Sequence, residues 1–285
     1  MTRAPEWSVV VPTRDRQPEL SACLSALAPG AQTMDASRYE VIVTDDGDFD
    51  ATAAWLRSTF PWARHVRGPR RGPAANRNAG AREARGAWLV FADDDIIPAR
   101  EWLATFARAA GGEVLEGRTT CQAGVASARE HAPENNDGGL LWSCNFAIRR
   151  AVFVSVAGFD EGFAFPHMED ADLRERLRAA GHAITWVPEA IVDHPPRRLP
   201  SGSRLGAYRE AEVRFLYKYG APRPVRWRML LGLLRSRPVN IRARPKGVDS
   251  LLALWALGAE VWHVLWHGAA WERACAREFP EGRRP

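Results

Sequence analysis

Lysine, cysteine and an apolar N-terminal run are all scarce in this sequence, and two of these shortages remove whole classes of protein. Only Lys218 and Lys246 among the 39 basic residues are lysine, a bias of an arginine- and alanine-rich composition from which no function follows. The four cysteines, Cys23, Cys121, Cys144 and Cys275, lie far apart with no CxxC pair. A disulfide-stapled mini-protein is thereby excluded, a structural zinc site is disfavoured, and free thiols in a reducing compartment are expected. The stretch from Met1 to Trp7 runs into Val9-Val10-Val11 and then Pro12 and charge, so the apolar core of a secretory signal is lacking and a cytoplasmic location is expected. Neither GxGxxG after the first strand nor GxxxxGK[ST] occurs, which demotes dinucleotide and phosphate-loop enzymes.

What the chain does hold is an uneven charge. The sum over 285 residues is +5, but residues 1–190 carry 21 basic and 26 acidic side chains, whereas residues 191–285 carry 18 and 8. The length suits one large domain or one domain with an appendage, since domains run roughly 100–200 residues. Apolar runs alternate with stretches of helical spacing: Trp7–Val11 then Glu19–Leu27, Tyr39–Thr44 then Ala51–Ser58, Arg64–Val66 then Ala74–Ala84, Trp88–Ala92 then Glu101–Ala110. This order predicts parallel βαβ units and a doubly wound sheet. Beyond Ala110 the pattern loosens; Leu140–Ile148, Ile184–Val187 and Ile191–Val192 read as strands, Asp170–Ala180 as a helix, and a boundary is expected near Pro195.

Ligands of such sheets bind beyond the carboxyl ends of the strands, and there the sequence places Pro12-Thr13-Arg14, Asp45-Asp46-Gly47 and Asp93-Asp94-Asp95. Three adjacent carboxylates repel one another unless a cation or donors neutralise them, and oxygen ligands at a rigid strand end suit Mg²⁺ or Mn²⁺. A solvated acidic turn is the plainer alternative. The small residues of Gly72–Gly80 leave room for close backbone approach, with Arg77 available to a phosphate.

Taken in order, these segments resemble the inverting nucleotide-sugar glycosyltransferases of family 2. Val9–Arg16 is similar to the family's first strand and Val41–Gly47 to its second. Gly72–Gly80 is similar to its third element, and Phe91–Pro98 to its DxD region. Gly158-Phe159-Asp160-Glu161, with Glu169-Asp170-Ala171-Asp172-Leu173, resembles the acceptor-side signature. The resemblance spans roughly Trp7 to His194. It implies a GT-A-type, Rossmann-like, mostly parallel α/β sheet flanked by helices. It further implies that Pro12, Arg14 and Asp46 lie against the nucleoside, with Asp45 nearby, and that Arg77 lies near the diphosphate or base. Asp93 would contact ribose or metal and Asp95 the metal; the run of three aspartates permits two registers, so Asp94 stays in the donor set. Asp170 would be the catalytic base, with Glu169 orienting the acceptor. His194 sits where some members hold the metal; a packed histidine is the alternative.

The acid pair also has a purely structural reading, since carboxylates in a first helical turn gain about 0.3–1 kcal/mol from the dipole. A general base must reach the acceptor hydroxyl while ionised, which an N-terminal carboxylate beside a diphosphate cleft can do.

Residues 191–247 hold 14 basic side chains against Asp193, Glu210 and Glu212. Such a patch attracts polyanions, but no zinc-finger, RNP-like or basic-zipper pattern occurs, so nucleic acid is disfavoured. Arg223-Pro224-Val225-Arg226-Trp227 departs from the family's QxxRW motif by an Arg in place of Gln. Val248–Trp271 approaches the length of a membrane span but is interrupted by Asp249, Glu260, His263 and His267. On a helix, Leu251, Trp255, Trp262 and Trp266 share one face, opposite Glu260, His263 and His267. The expectation is a helix buried along the catalytic domain, the alternative an interfacial helix on an anionic membrane.

The reading is thus a metal-dependent, inverting glycosyltransferase using Mn²⁺ or Mg²⁺ and a nucleotide-sugar donor. Its acceptor is a glycan, a lipid-linked sugar or a small molecule, as in the biosynthesis of cell-surface glycans or polysaccharides. Residues 1–194 would form the catalytic domain, with a donor half to about 110 and an acceptor half from 111 to 194, and residues 195–285 a basic helical extension. The rivals are a sugar-phosphate nucleotidylyltransferase, whose Gly-rich basic first loop is missing, and a non-catalytic carbohydrate- or membrane-binding protein on the same scaffold.

Overall fold

The apolar runs of the first half become strands in which alternate side chains enter opposite layers. A computed structural model describes residues 4–244 and 247–280, so Lys246 lies outside the described residues. In chain order the elements are β1 (Trp7–Thr13), α1 (Gln17–Leu27), β2 (Tyr39–Asp45), α2 (Phe49–Thr59), β3 (Arg64–Arg67), α3 (Pro73–Glu83), β4 (Trp88–Ala92), β5 (Ile97–Pro98), α4 (Trp102–Arg108) and β6 (Val114–Thr120). There follow β7 (Glu130–His131), β8 (Asn145–Arg149), α5 (Arg150–Ser155), α6 (Glu169–Ala179), β9 (Ile184–Asp193), β10 (Arg197–Arg198), α7 (Gly202–Lys218), α8 (Val225–Arg242) and α9 (Val248–Glu278). Two compact units result. The first comprises Met1–Gln122 and Pro133–Pro195, the second Ala123–Ala132 and Pro196–Pro285. The short segment 123–132 thus groups with the C-terminal residues.

The first unit holds an eight-stranded sheet of order β3-β2-β1-β4-β8-β6-β9-β5. β3, β2, β1 and β4 run parallel, β8 is antiparallel to both β4 and β6, and β9 pairs parallel with β6. Every residue of β1 is buried. Val9, Val11, Val41, Val43 and Val90 pack with Leu20, Leu24, Leu56, Trp102 and Phe106 in one layer. Val10, Ile42, Leu89 and Phe91 pack with Phe153, Phe159, Leu173 and Leu177 in the other. The period of two along each strand divides the core in this way. α3 lies close on the sheet because Gly80 has no Cβ: a methyl there would sit 2.5 Å from Val10 Cγ1.

Three departures from the sequence reading have local causes. β6, not anticipated, carries Glu116 and Gly117 in mid-strand, which breaks any apolar pattern. The strand expected over Leu140–Ile148 begins only at Asn145, because the preceding backbone wraps a buried carboxylate: Glu116 accepts N–H bonds from Gly139 (2.6 Å), Leu140 (2.8 Å) and Leu141 (2.5 Å). Residues 184–193 form one strand rather than two. Its pairing with β6 shifts register at Gly117/Arg118, and the Asn145 amide bridges that irregularity by donating to Arg118 O and Ala190 O.

In the second unit β7 pairs with β10, and α7, α8 and α9 enclose a core of Val213, Tyr217, Val225, Met229, Leu230, Val264 and Cys275. α9 continues beyond Trp271 to Glu278 and packs on α7 and α8 within the second unit, where a helix buried along the catalytic domain was expected. Its inward stripe is Leu257, Glu260, Val264, Gly268, Glu272 and Cys275, while Leu251, Trp255, Trp262 and Trp266 are all more than 60% exposed. The tryptophan face is the one the spacing predicts; of the opposite set Glu260 is buried, His263 half-buried and His267 exposed.

Candidate active site

Four parallel strands end at one edge of the sheet, and the residues just past their ends assemble the site. β1, β2 and β4 are parallel, and β9 shares their direction through β6 and β8. Thr13, Asp45, Ala92 and Asp193 therefore finish together, followed by Arg16, Asp46, Asp93–Asp95 and His194.

The aspartate run is not a solvated turn. Asp94 and Asp95 are 4% and 9% exposed. Asp15 takes a left-handed conformation (φ 55°), and the chain beyond it brings Arg16 onto both carboxylates: Nη1 lies 2.9 Å from Asp94 Oδ1 and Nη2 2.7 Å from Asp95 Oδ2. Thr13 Oγ1 donates to Asp94 Oδ2 at 2.7 Å. Burial nevertheless outweighs Arg16 and raises the Asp94 carboxyl to about 7. Arg16 and Thr13 were not singled out from the sequence. The neighbouring Arg14 was, and its side chain is 73% exposed with Nε 3.9 Å from Asp15 Oδ2; burial raises the Asp46 carboxyl, against the charge of Arg14 and the bonds from Arg70 N and Gly72 N.

Asp93, Asp95 and His194 offer ligand atoms within 4.8 Å of one another. His194 is completely buried, and its Nδ1 lies 3.1 Å from Pro195 O. A carbonyl only accepts, so Nδ1 donates that bond, and Nε2 faces Asp95 Oδ1, 3.4 Å away. Nε2 has no hydrogen-bond partner. An imidazole nitrogen and two carboxylates gathered in this way fit a divalent cation.

Arg77, 4% exposed, joins this cluster to the acid pair of α6: Nη2 donates to Asp93 Oδ1 at 2.5 Å and Nη1 to Glu169 Oε1 at 3.0 Å. Burial opposes the guanidinium charge, but Asp93 and Glu169 outweigh it and keep Arg77 charged. Next to it, Asn78 clamps the Gly158–Glu161 loop, donating to Phe159 O (2.8 Å) and accepting from Phe159 N (2.9 Å). Met168, left-handed at φ 70°, leads directly into α6. Glu169 is 3% exposed; burial and the adjacent Asp170 charge push its carboxyl to about 7 against the pull of Arg77. Asp170 stays partly open to solvent, accepts N–H bonds from Ala171 (2.7 Å) and Ser143, and is also raised, chiefly by burial.

Asp45 and Asp46 have structural duties at this edge. Asp45 accepts from Gly47 N at 2.7 Å; burial pulls its carboxyl up, but hydrogen bonds from His65, Thr52 and Gly47 outweigh that and hold it low. Asp46 accepts from Arg70 N (2.9 Å) and Gly72 N (3.2 Å), fixing the turn into α3. Pro12 is buried in β1.

Residues 8–115 match the family model described as glycosyl transferase family 2. The chain is 27% identical over 219 residues to the glycosyltransferase AglE of Haloferax volcanii, covering 70% of each protein. It is 29% identical over 237 residues to a validoxylamine A glucosyltransferase of Streptomyces hygroscopicus subsp. limoneus, covering 66% of this chain and about half (51%) of that one. Its fold resembles the mannosyltransferase PcManGT from Pyrobaculum calidifontis, solved with GDP-Man and Mn²⁺, at a TM-score of 0.55 and 19% identity over 98% of this chain and 79% of that one. The sheet topology and these likenesses agree: the chain has a GT-A fold, and its residues 8–115 carry the match to glycosyl transferase family 2.

Proposed function

We propose that this chain transfers a sugar from a nucleotide-sugar donor to an acceptor hydroxyl in one inverting displacement, with Asp170 as general base. The observation that carries this reading is the buried Arg77 bridge between Asp93 and Glu169. It makes the carboxylates suited to a cation and the acid pair beside them a single electrostatic unit spanning both sides of a transfer reaction.

Asp170 accepts the proton of the attacking hydroxyl. It is the more open of the two acids, and burial raises its pKa, which makes it a stronger base than a surface aspartate. Glu169, fixed by Arg77, orients the acceptor. Arg77 contributes positive charge toward the departing diphosphate, and Arg16 keeps Asp94 and Asp95 in place. A divalent cation held by Asp93, Asp95 and His194 would supply the remaining charge neutralisation for the leaving group. Pro12, Arg14 and Asp46 border the nucleoside, with the donor side within residues 1–110 and the acceptor side within 111–194. The acceptor is a glycan, a lipid-linked sugar or a small molecule.

The test pairs binding with turnover. Nucleotide diphosphates and nucleotide sugars are screened by thermal shift with and without Mn²⁺, and the stabilising donor is then assayed with Asp170→Asn. Retained donor binding with lost transfer is expected; full transfer by Asp170→Asn would overturn the assignment of the base.

A further inference from the structure

We propose that the outward face of α9 is a contact for an anionic lipid bilayer, with the helix lying in the plane of the headgroups. This goes beyond the transfer reaction and does not rest on it.

α9 is inverted relative to an ordinary surface helix. Leu251, Leu254, Trp255, Trp262, Leu265 and Trp266 are between 46% and 76% exposed, and from Leu251 to Trp266 they line roughly 22 Å of helix. Between Asp249 and Arg273 the only Asp, Glu, Lys or Arg side chains are Glu260 and Glu272, and both point inward at 1% and 7% exposure, while His263 is half-buried and His267 exposed. Each is neutralised from a neighbouring helix. Arg209 Nη2 lies 2.8 Å and Arg237 Nη2 3.4 Å from the Glu260 carboxylate, and Arg226 Nη1 lies 3.3 Å from Glu272. A contiguous apolar face of this length marks an interaction surface.

Charge and composition select the occupant. Three tryptophans in one stripe suit the boundary between headgroups and acyl chains, where an apolar ring with a polar N–H is favoured. Arg273 and Arg277, both exposed, follow Trp266 by seven and eleven residues and so continue the same face. On α8, exposed Trp227, Leu231 and Leu234 alternate with exposed Arg228, Arg235 and Arg242. Residues 196–285 carry 18 basic and seven acidic side chains. Glu212, Glu260, Glu272 and Glu278 among those acids are bound to arginines within the unit. The exposed Arg228, Arg235, Arg242, Arg273 and Arg277 thus remain to meet anionic headgroups. A second copy would oppose like charges across the same face, and a spanning helix would carry Glu260, Glu272 and their arginines to hydrocarbon depth.

The test is co-sedimentation of the full chain with phosphatidylglycerol–phosphatidylcholine vesicles and with phosphatidylcholine alone, at low and high salt. Tryptophan quenching by bromine-labelled lipid gives a second readout on the unmodified protein. Expected are binding to the anionic vesicles that weakens with salt, and quenching. Trp255→Ser/Trp262→Ser/Trp266→Ser should weaken binding about tenfold or more at an unchanged melting temperature, and Arg273→Glu/Arg277→Glu should remove the preference for anionic lipid. Absence of binding at low salt with no quenching overturns the proposal, as does undiminished binding by the folded triple-serine variant. A concentration-dependent dimer that the triple variant abolishes, without vesicle binding, assigns the face to a second copy instead.

Discussion

Replacing Arg77 with methionine leaves two carboxylates without their shared counter-charge, and the cost follows from the geometry. Arg77 is 4% exposed and lies 2.5 Å from Asp93 and 3.0 Å from Glu169, itself 3% exposed. Breaking a buried ion pair by removing one partner costs about 3–5 kcal/mol, a large part of a total stability of about 5–15 kcal/mol. The loss should depend on pH. Glu169 in the folded protein titrates at about 7, above its ordinary 4.5, so the folded state holds that proton more tightly and stability falls as pH rises through this window. Arg77 opposes the upward shift; without it the folded value climbs further, and the deficit of Arg77→Met widens from about pH 5 to about pH 8. Urea unfolding followed by circular dichroism in the presence of a chelator, at the two ends of that window, measures it. Glu169→Gln placed on Arg77→Met should recover part of the loss, since an amide carries no charge to strand. Equal stability of Arg77→Met and the unmodified chain at about pH 8, or a deficit that ignores pH, would refute the view of Arg77 as the counter-ion of this buried pair.

Asp170→Asn should lower kcat by about 10²–10⁴-fold, the usual contribution of a positioned base, while donor binding measured by calorimetry is retained. Because Asp170 is raised and must be ionised to accept a proton, the acid limb of kcat/KM should lie above the ordinary aspartate range; a limb at about 4 would contradict the assignment. His194→Ala should reduce the rise in melting temperature produced by Mn²⁺ alone, and Asp95→Ala should do the same, whereas an unaltered rise in both would move the cation elsewhere. Gly80→Ala should cost about 1–3 kcal/mol in urea unfolding, because the added methyl meets Val10 Cγ1 at 2.5 Å; no loss would mean that α3 can shift away from β1.

How far the sequence could be read follows the length scale of each signal. β1, β2 and β4 were legible because each buries a short apolar run and ends on a punctuating polar group, and the small residues of Pro73–Ala81 announced a helix that must lie close on a sheet. The grouping of Asp93 and Asp95 with His194 was legible only through the family resemblance, since nothing local to His194 reveals that β9 shares the direction of β4. Arg16 was missed for a conformational reason: the left-handed turn at Asp15 (φ 55°) decides which of two arginines faces inward, and no spacing rule encodes it. β6 was missed because its two central positions hold Glu116, whose carboxylate anchors the backbone of Gly139–Leu141, and Gly117, which meets Asn145. Both are long-range requirements that erase the local alternation.

The paired arginines serve opposite ends in the two units. In the first, Arg16 and Arg77 hold a set of carboxylates whose ordinary preference would be for water, so that Asp93, Asp95 and Asp170 stand at fixed positions along one sheet edge. In the second, Arg209, Arg237 and Arg226 draw Glu260 and Glu272 inside, and what remains outside is tryptophan and leucine. Neither half of the second arrangement is favoured by folding in water. A buried ion pair seldom gains over a well-packed apolar pair of the same volume, and a large aromatic side chain left exposed forgoes about 1.5–3 kcal/mol of burial. Turning α9 about its axis would place leucine and tryptophan in the core and the two glutamates in solvent, the ordinary solution for an amphipathic helix. The observed orientation gives up that stabilisation, and the contact that returns it must lie on the outward face.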